Sequence, residues 1–315
     1  MRPDRGLSGP ERPTLRDIQA LNRVFSEAFT DRYLRDGLAG VRVPFLNPLV
    51  WRYAMEDAGD GAMIWRDADG QIAGFNMVHL SGVEGWMGPL AVRPELQGRG
   101  LGSVMVREGM DWLRGEGATM IGLETMPRTV ENIGFYSRLG LVPGPLTITL
   151  VRDVVVAGSQ GEGLDDAGGS TAQIEECRLL TARLQPGVDY SRELLITREL
   201  SLGDASLVRR NGELAGFALW HSAPLAAGRP RDELRVLKLV ATDLEAVHSL
   251  ADGVEAAAVR EQARRVAVRC QTNYRDVYRA LMQRGYRVHW TDLRMTLYDA
   301  PEPAGQGIVM SNWEI

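Results

Sequence analysis

The spacing of apolar positions along the chain changes several times, and each change marks an element. Leu15, Ile18, Leu21, Val24 and Phe25 recur at the helical period. "PTLRDIQALNRVFSEAF" is therefore predicted to be an amphipathic helix with Thr14 at its N-cap. "AMIWRDADGQIAGFNMVHL" then reads as strand, tight turn, strand. "GWMGPLAV" is a further strand, and a helix runs from about Gly100 to Arg114. "ATMIGLETM" is a strand, "TVENIGFYSRLGL" a helix stopped at Gly140, and "GPLTITLVRD" a last strand.

The pattern then repeats. "DGQIAGFNMVHLSG", from Asp69, lies 142 residues before "NGELAGFALWHSAP", from Asn211. Gly70, Ala73, Gly74, Phe75 and His79 match Gly212, Ala215, Gly216, Phe217 and His221. A register shared over so many positions points to an internal duplication. "SLVRRNGELAGFALWHS" is again strand, turn, strand. "LRVLKLVAT", "VAVRCQT" and "YRVHWTDLRMTLYD" are strands separated by the helices "DLEAVHSLADGVEAAAVREQARR" and "YRDVYRALMQRG". Each half is expected to close its own sheet. Between the halves, "AGSQGEGLDDAGGS" has five glycines and no aromatic residue, the composition of a linker. The predicted division is a first domain over 1–156, a linker over 157–171, a second domain over 172–300 and a tail over 301–315. The tail "GIVMSNWEI" is read as an added strand or a flap docked on the other half. The predicted fold class is α/β (α+β): each half carries a mixed, mostly antiparallel sheet flanked by helices.

Composition narrows the function classes. The net charge of −5 and pI near 5.6 argue against a partner held by phosphate contacts, so no nucleic acid is expected. No apolar run reaches the length of a membrane span, and the first residues lack a signal-peptide core, so a cytoplasmic protein without membrane association is expected. Cys177 and Cys270 are too far apart in sequence, and too lacking in histidine neighbours, to suggest a disulfide framework or a metal site. A homodimer remains open.

The distinctive local chemistry is "LAVRPELQGRGLGSVMVREGMDWL". Gly98, Gly100 and Gly102 alternate where a strand turns into a helix, beside Gln97 and Arg99. A phosphate-binding P-loop needs Gly-Lys-Ser/Thr, which is absent. A dinucleotide fingerprint starting at Gly98 and Gly100 needs a third glycine where Ser103 stands. What remains is Gln97-x-x-Gly100-x-Gly102. Bare backbone at a helix N-terminus directs several N–H groups, with the helix dipole behind them, at one spot. A pyrophosphate fits there.

With these residues the chain resembles the GNAT superfamily of acyl-CoA-dependent N-acyltransferases, whose signature Arg/Gln-x-x-Gly-x-Gly/Ala is met by "QGRGLG". "ENIGFYSRLGL" is similar to the companion helix motif of that family, with Leu141 where Phe is common. The resemblance covers roughly Leu15 to Arg152. It implies acetyl-CoA as co-substrate, in a cleft between "GPLAV" and "GLETM". Backbone of Leu90, Ala91 and Val92 would pair with the pantetheine, and Gln97, Gly98, Arg99, Gly100, Leu101 and Gly102 would hold the pyrophosphate. Asn132 would bond the pantetheine arm or a cleft water. Tyr136 would touch the cofactor and protonate the departing thiolate. The amine needs a base; Glu124 is the candidate, on the strand lining the cleft, with Glu84 as the alternative. His79 is read as packing because His221 repeats it.

The second half departs from this pattern. "DLEAVHSLADG" stands where "PELQGRGLG" should be, and Leu281 stands where Tyr136 does. It reads as a degenerate copy that has lost CoA binding and completes the substrate cleft or the interface. The function expected is acetyl transfer from acetyl-CoA to a primary amine of unknown identity, on a small molecule or peptide, without a metal. The alternative is an acyl-CoA-binding sensor without turnover.

Overall fold

The computed structural model describes residues 6–154, 171–303 and 305–313. The expected linker, apart from Thr171, lies outside these residues. The first half contains strands β1 (Ser8–Glu11), β2 (Ala62–Arg66), β3 (Ile72–Ser81), β4 (Glu84–Val92), β5 (Met120–Thr125) and β6 (Leu141–Asp153). Its helices are α1 (Ile18–Arg35), α2 (Pro48–Ala58), α3 (Leu101–Gly115) and α4 (Val130–Arg138). The second half contains α5 (Thr171–Leu184), α6 (Ser191–Glu199), β7 (Gly203–Arg210), β8 (Glu213–His221), β9 (Glu233–Ala241), α7 (Leu244–Arg260), β10 (Arg265–Gln271), α8 (Arg275–Gln283), β11 (Arg287–Leu297) and β12 (Ile308–Ser311).

Local chemistry explains most boundaries. Thr14 donates from its backbone N–H and its hydroxyl to the Asp17 carboxylate, closing a 3-10 turn that leads into α1. Asn47 accepts from Leu49 N–H, and Pro48 fits the first turn of α2, an element the apolar period did not announce. Gly140, at φ +98°, stops the chain after α4. The sheet is covered on both faces, so β3 is buried almost throughout instead of alternating. Phe75 and Met77 pack with Trp51 and Leu21 under α1 and α2. Val78 packs with Met105 and Leu113 of α3 on the other face. Of the duplicated glycines, Gly70 and Gly212 are turn glycines at φ +75° and +84°, whereas Gly74 and Gly216 are packing glycines: a Cβ on Gly74 would lie 2.9 Å from Met105 Sδ, and one on Gly216 would lie 2.9 Å from Val240 O. Cys177 and Cys270 are separate buried thiols, and burial pushes both up to about 12.

The expectation that each half closes its own sheet is corrected. One sheet runs through both halves in the order β1-β2-β3-β4-β5-β11-β6-β10-β9-β8-β7, with β12 added on β9. β11 lies antiparallel to β5, with Arg294 opposite Glu124, and also antiparallel to β6. β6 in turn lies antiparallel to β10. The last long strand of each half therefore inserts beside the other half. The reason is in the cores. Met295 and Leu297 of β11 pack with Met105, Tyr136 and Leu141, while Leu150 of β6 packs with Val266, Leu281 and Tyr286. Alternating polarity marks a strand with one buried face; it does not say which sheet receives it.

Away from the exchanged strands, polar groups also join the halves. Arg192 donates to Asp57 at 3.1 Å and to Leu80 O at 2.7 Å. Tyr190 donates to Glu84 at 2.8 Å. Ser81 donates to Glu193 Oε1, and Glu193 Oε2 has no partner. Burial, aided by the nearby Asp57 carboxylate, raises the Glu193 pKa from the usual 4.5 to about 7.

Two outcomes are expected. Fragments 1–154 and 171–315 expressed separately each lack a strand and the apolar side chains it buries; each aggregates or melts without cooperativity, and co-expression restores a soluble pair. A monomeric, cooperatively melting first fragment would contradict the exchange. For Glu193, a carboxyl with a raised native pKa, the stabilisation is complete below about pH 4.5 and is lost as pH rises through 7, by roughly 3 kcal/mol. Glu193→Gln removes this loss, so its denaturant midpoint exceeds wild type at pH 8 and the two converge at pH 5.

Candidate active site

β4 and β5 are parallel neighbours over four rungs only, from Glu84 opposite Met120 to Met87 opposite Leu123. Beyond Met87 they part. A bulge in β4 marks the place: Val78 of β3 faces Met87 and Asn76 faces Leu90, so Gly88 and Pro89 together oppose Met77. His79 fixes this bulge from beneath. Its Nε2 lies 3.1 Å from Gly88 O, its Nδ1 2.5 Å from Asp57 Oδ2, and its ring stacks on Trp86 at 3.9 Å. His79 thus does more than pack. Its counterpart His221 makes no such link, and meets Thr197 Oγ1 at 2.9 Å.

The parted strands bound a cleft of about 590 Å³, within the usual range for small-ligand sites. One wall is Met87–Val92 and the other is Leu123–Met126. α4 contributes Asn132, Phe135 and Tyr136. α1 contributes Phe25, Phe29, Arg32 and Tyr33. Of the residues expected to hold the cofactor, Leu90, Ala91, Val92, Gln97, Gly98, Gly102, Asn132 and Tyr136 all line this cleft. Arg99, Gly100 and Leu101 belong to the turn but not to the cleft walls, and the Leu101 side chain is buried in the core.

The turn is pre-shaped. Gln97 Nε2 donates to Val92 O at 3.0 Å, tying the turn back to β4. Gly98 (φ +76°) and Gly100 (φ +91°) take left-handed conformations that glycine adopts without strain. A Cβ on Gly98 would meet nothing within 4 Å. Gly100 is the N-cap of α3 and offers no capping side chain; Ser103 N–H turns back to Gly100 O at 3.1 Å, which leaves the Leu101 and Gly102 amides for a ligand or solvent. At Gly102 a Cβ would sit 3.5 Å from Phe135 Cζ, an ordinary contact.

The catalytic candidates differ in their surroundings. Burial raises the Tyr136 phenol far above its usual range, so it stays protonated. Asn132 Nδ2 reaches Thr125 Oγ1 at 3.5 Å. Glu124 lines the cleft, but its carboxylate is fully engaged: Thr147 and Arg294 Nε donate to Oε1, the latter at 3.0 Å, and Arg269 donates to Oε2 at 2.7 Å. Burial opposes its charge, but Arg269, Arg294 and Thr147 outweigh this and hold its pKa below the usual value. A carboxylate so held is a poor base. Glu84 is buried at the closed end of β4 and accepts from Tyr190 and, at 2.7 Å, from Trp313 Nε1; it does not line the cleft.

Several lining residues escaped the sequence reading. Asp292 arrives on β11, where a charge in an apolar strand was the available signal; Arg269 and Trp290 donate to it at 2.9 and 3.1 Å. Leu225 and Ala226 come from the loop after β8, held to the first half by Asn47 N–H to Leu225 O at 2.9 Å. Trp313 comes from the tail. Residues of the second half thus form part of the cleft wall.

The profile of the Acetyltransferase (GNAT) family matches residues 20–141. This segment is a GNAT acetyltransferase domain. It contains α1, the parted strands, the glycine turn and α4. A mycothiol acetyltransferase from Clavibacter michiganensis subsp. michiganensis is 32% identical over 76 residues, 24% of this chain and 25% of that protein. The match thus spans about a quarter of this curated relative's length. Among solved structures, a Pyrococcus horikoshii protein provisionally described as an acetyltransferase is similar with TM-score 0.69 and 17% identity, over 98% of this chain and 96% of the other. A tandem GNAT protein from the clavulanic acid biosynthesis pathway is similar with TM-score 0.60 and 14% identity, over 94% and 100%. These likenesses extend the GNAT-like fold over both halves. Among the described residues no helix is long and apolar enough to cross a membrane, and no cluster of three or more metal-ligating side chains occurs.

The turn geometry separates two substitutions. Gly102→Ala keeps CoA affinity within about threefold of wild type, since its Cβ has room. Gly100→Asp combined with Gly102→Asp abolishes binding, because it puts a strained Cβ and two carboxylates at the anion site. Calorimetry with CoA checks both; unchanged affinity in the double variant would remove the turn from the site.

Proposed function

We propose that the protein transfers an acetyl group from acetyl-CoA to a primary amine held in the β4–β5 cleft. The observation that carries this reading is the alignment along one cleft of the uncapped glycine turn, β4 backbone beyond its last rung with β5, and the protonated Tyr136. The residues present fit the co-substrate. Gln97–Gly102 offers open backbone to a diphosphate, and Leu90–Val92 has no neighbouring strand on the β5 side. When bound, acetyl-CoA supplies an acyl group already activated as a thioester.

This chain's residues then do three things. The bulge fixed by His79 sets the backbone at Gly88 and Pro89 beside the reacting group. Tyr136 holds a proton for the departing sulfur. Asp292 and Glu124, held by Arg269 and Arg294, form the wall at the acceptor end. Every carboxylate on the described cleft walls is already paired: Glu124 with Arg269 and Arg294, Asp292 with Arg269, and Glu131 with Arg32. The ammonium proton therefore leaves to water, and Glu124 acts by tying β11 to β5 through Arg294 and by holding Arg269 of β10.

Among the described residues, the second half does not repeat the open glycine turn of the first. Asp243 accepts from Ala246 N–H at 3.0 Å and caps α7, and Arg210 pairs with Asp243 at 2.5 Å. A carboxylate therefore occupies the helix N-terminus that the first half leaves open.

A mass-spectrometric acetylation screen of an amine library tests the activity; CoA binding with no product from any amine would favour the sensor reading. With a good acceptor, Tyr136→Phe lowers kcat by roughly 100-fold while CoA affinity is retained. The kcat/KM profile rises with pH toward the amine's own pKa, with no acid limb between about 5 and 7 from Glu124, whose pKa is lowered. A limb in that window that disappears in Glu124→Gln would make Glu124 the base after all.

A further inference from the structure

The clefts of the two halves differ in what fills them. β9 and β10 are parallel neighbours from Glu233 opposite Arg265 to Val236 opposite Val268, and then part as β4 and β5 do. Into this second gap the chain lays its own tail. β12 runs antiparallel along β9, with Ser311 opposite Lys238 and Ile308 opposite Ala241. Gln271 of β10 donates to Ser311 O at 3.0 Å, and Tyr274 donates to Val309 O at 2.9 Å. Asn312 N–H donates to Leu237 O at 2.8 Å. The next residue, Trp313, crosses into the first half.

There the indole is 1% exposed. It packs with Trp86 and Met120, donates to Glu84 at 2.7 Å, and is covered by the Arg294 guanidinium at 3.8 Å. Two glycines lie against Trp313, and Gly122 makes the close approach. A Cβ on Gly122 would lie 2.5 Å from the indole, and one on Gly88 would lie 3.6 Å from Trp313 O. Gly122 is on the last rungs before β4 and β5 part, and Gly88 is the first residue beyond them. Trp313 therefore stands at the apex of the first cleft. A ligand with its diphosphate at the glycine turn and its arm along Leu90–Val92 points its far end toward this apex.

We infer that Trp313, delivered by the tail strand in the second cleft, is the residue that limits the length of the acyl group admitted to the first. This rests on the acetyl-transfer reading. An acetyl group stops short of the indole, whereas each added methylene is driven against a wall pinned by Glu84, Arg294 and β12.

The test compares acetyl-CoA and butyryl-CoA binding to the full chain by calorimetry, with thermal melting of each variant. Wild type prefers acetyl-CoA. Trp313→Ala reduces that preference by about tenfold, the scale of discrimination set by one or two methylenes in an apolar pocket, and Trp313→Phe falls between. Trp313→Leu decides by the same ratio if the alanine variant melts without cooperativity. An unchanged ratio in a cooperatively melting variant, or a wild type without preference, overturns the assignment of Trp313 alone. Failure of wild type to bind either thioester overturns the acetyl-transfer reading and this inference together.

Discussion

The pairing of Glu124 on β5 with Arg294 on β11 is the contact through which the two halves become one molecule. Each is fully buried, and they face each other across adjacent strands. Arg269 from β10 shares Glu124 and reaches Asp292, and Glu302 takes the remaining side of Arg294. Removing one partner of such a cluster leaves an uncompensated buried charge, at a cost of roughly 3–5 kcal/mol. The cluster fixes the register of the exchanged strand, because a slip by one residue would turn Arg294 away from Glu124 and send Met295 and Leu297 out of the core.

The same cluster sets the character of the cleft. Charges that hold the sheet together also make up the wall at the acceptor end, so stability and site geometry are tied to the same side chains. This explains why an acidic residue on the cleft wall is not, by its position, a base. Glu124 lines the cleft, but Arg269, Arg294 and Thr147 hold its pKa below the usual value, which weakens it as a base.

The two halves show how one architecture is used twice for different ends. In the first, the gap between parted strands is open and leads to an uncapped helix N-terminus. In the second, the gap holds β12 and the helix N-terminus holds the Asp243 carboxylate. The tail that fills one gap carries the indole that stands at the apex of the other. Sheet continuity, the loop carrying Leu225 and Ala226, and Trp313 all bring second-half residues to the first-half cleft.

Much of this was written in local sequence. The duplicated strand pairs, the glycine turn after "GPLAV", the helix carrying Asn132 and Tyr136, and the substitution of "DLEAVHSLADG" in the second half depend on neighbouring residues, whose spacing dictates period, turn type and helix ends. Eight of the residues proposed for the cofactor line one cleft because they lie on one strand, the glycine turn, the start of α3 and α4, whose order along the chain fixes their order in space. Tertiary structure decided everything that required a choice of partner. The period of "YRVHWTDLRMTLYD" makes it a strand, but only the competing cores decide that it lies beside β5. The sign of Glu124 is visible in the sequence, whereas its partners Arg269 and Arg294 lie 145 and 170 residues away. Trp313 reads as part of a loosely alternating tail, and it becomes a cleft wall because Gly122 leaves room for its indole.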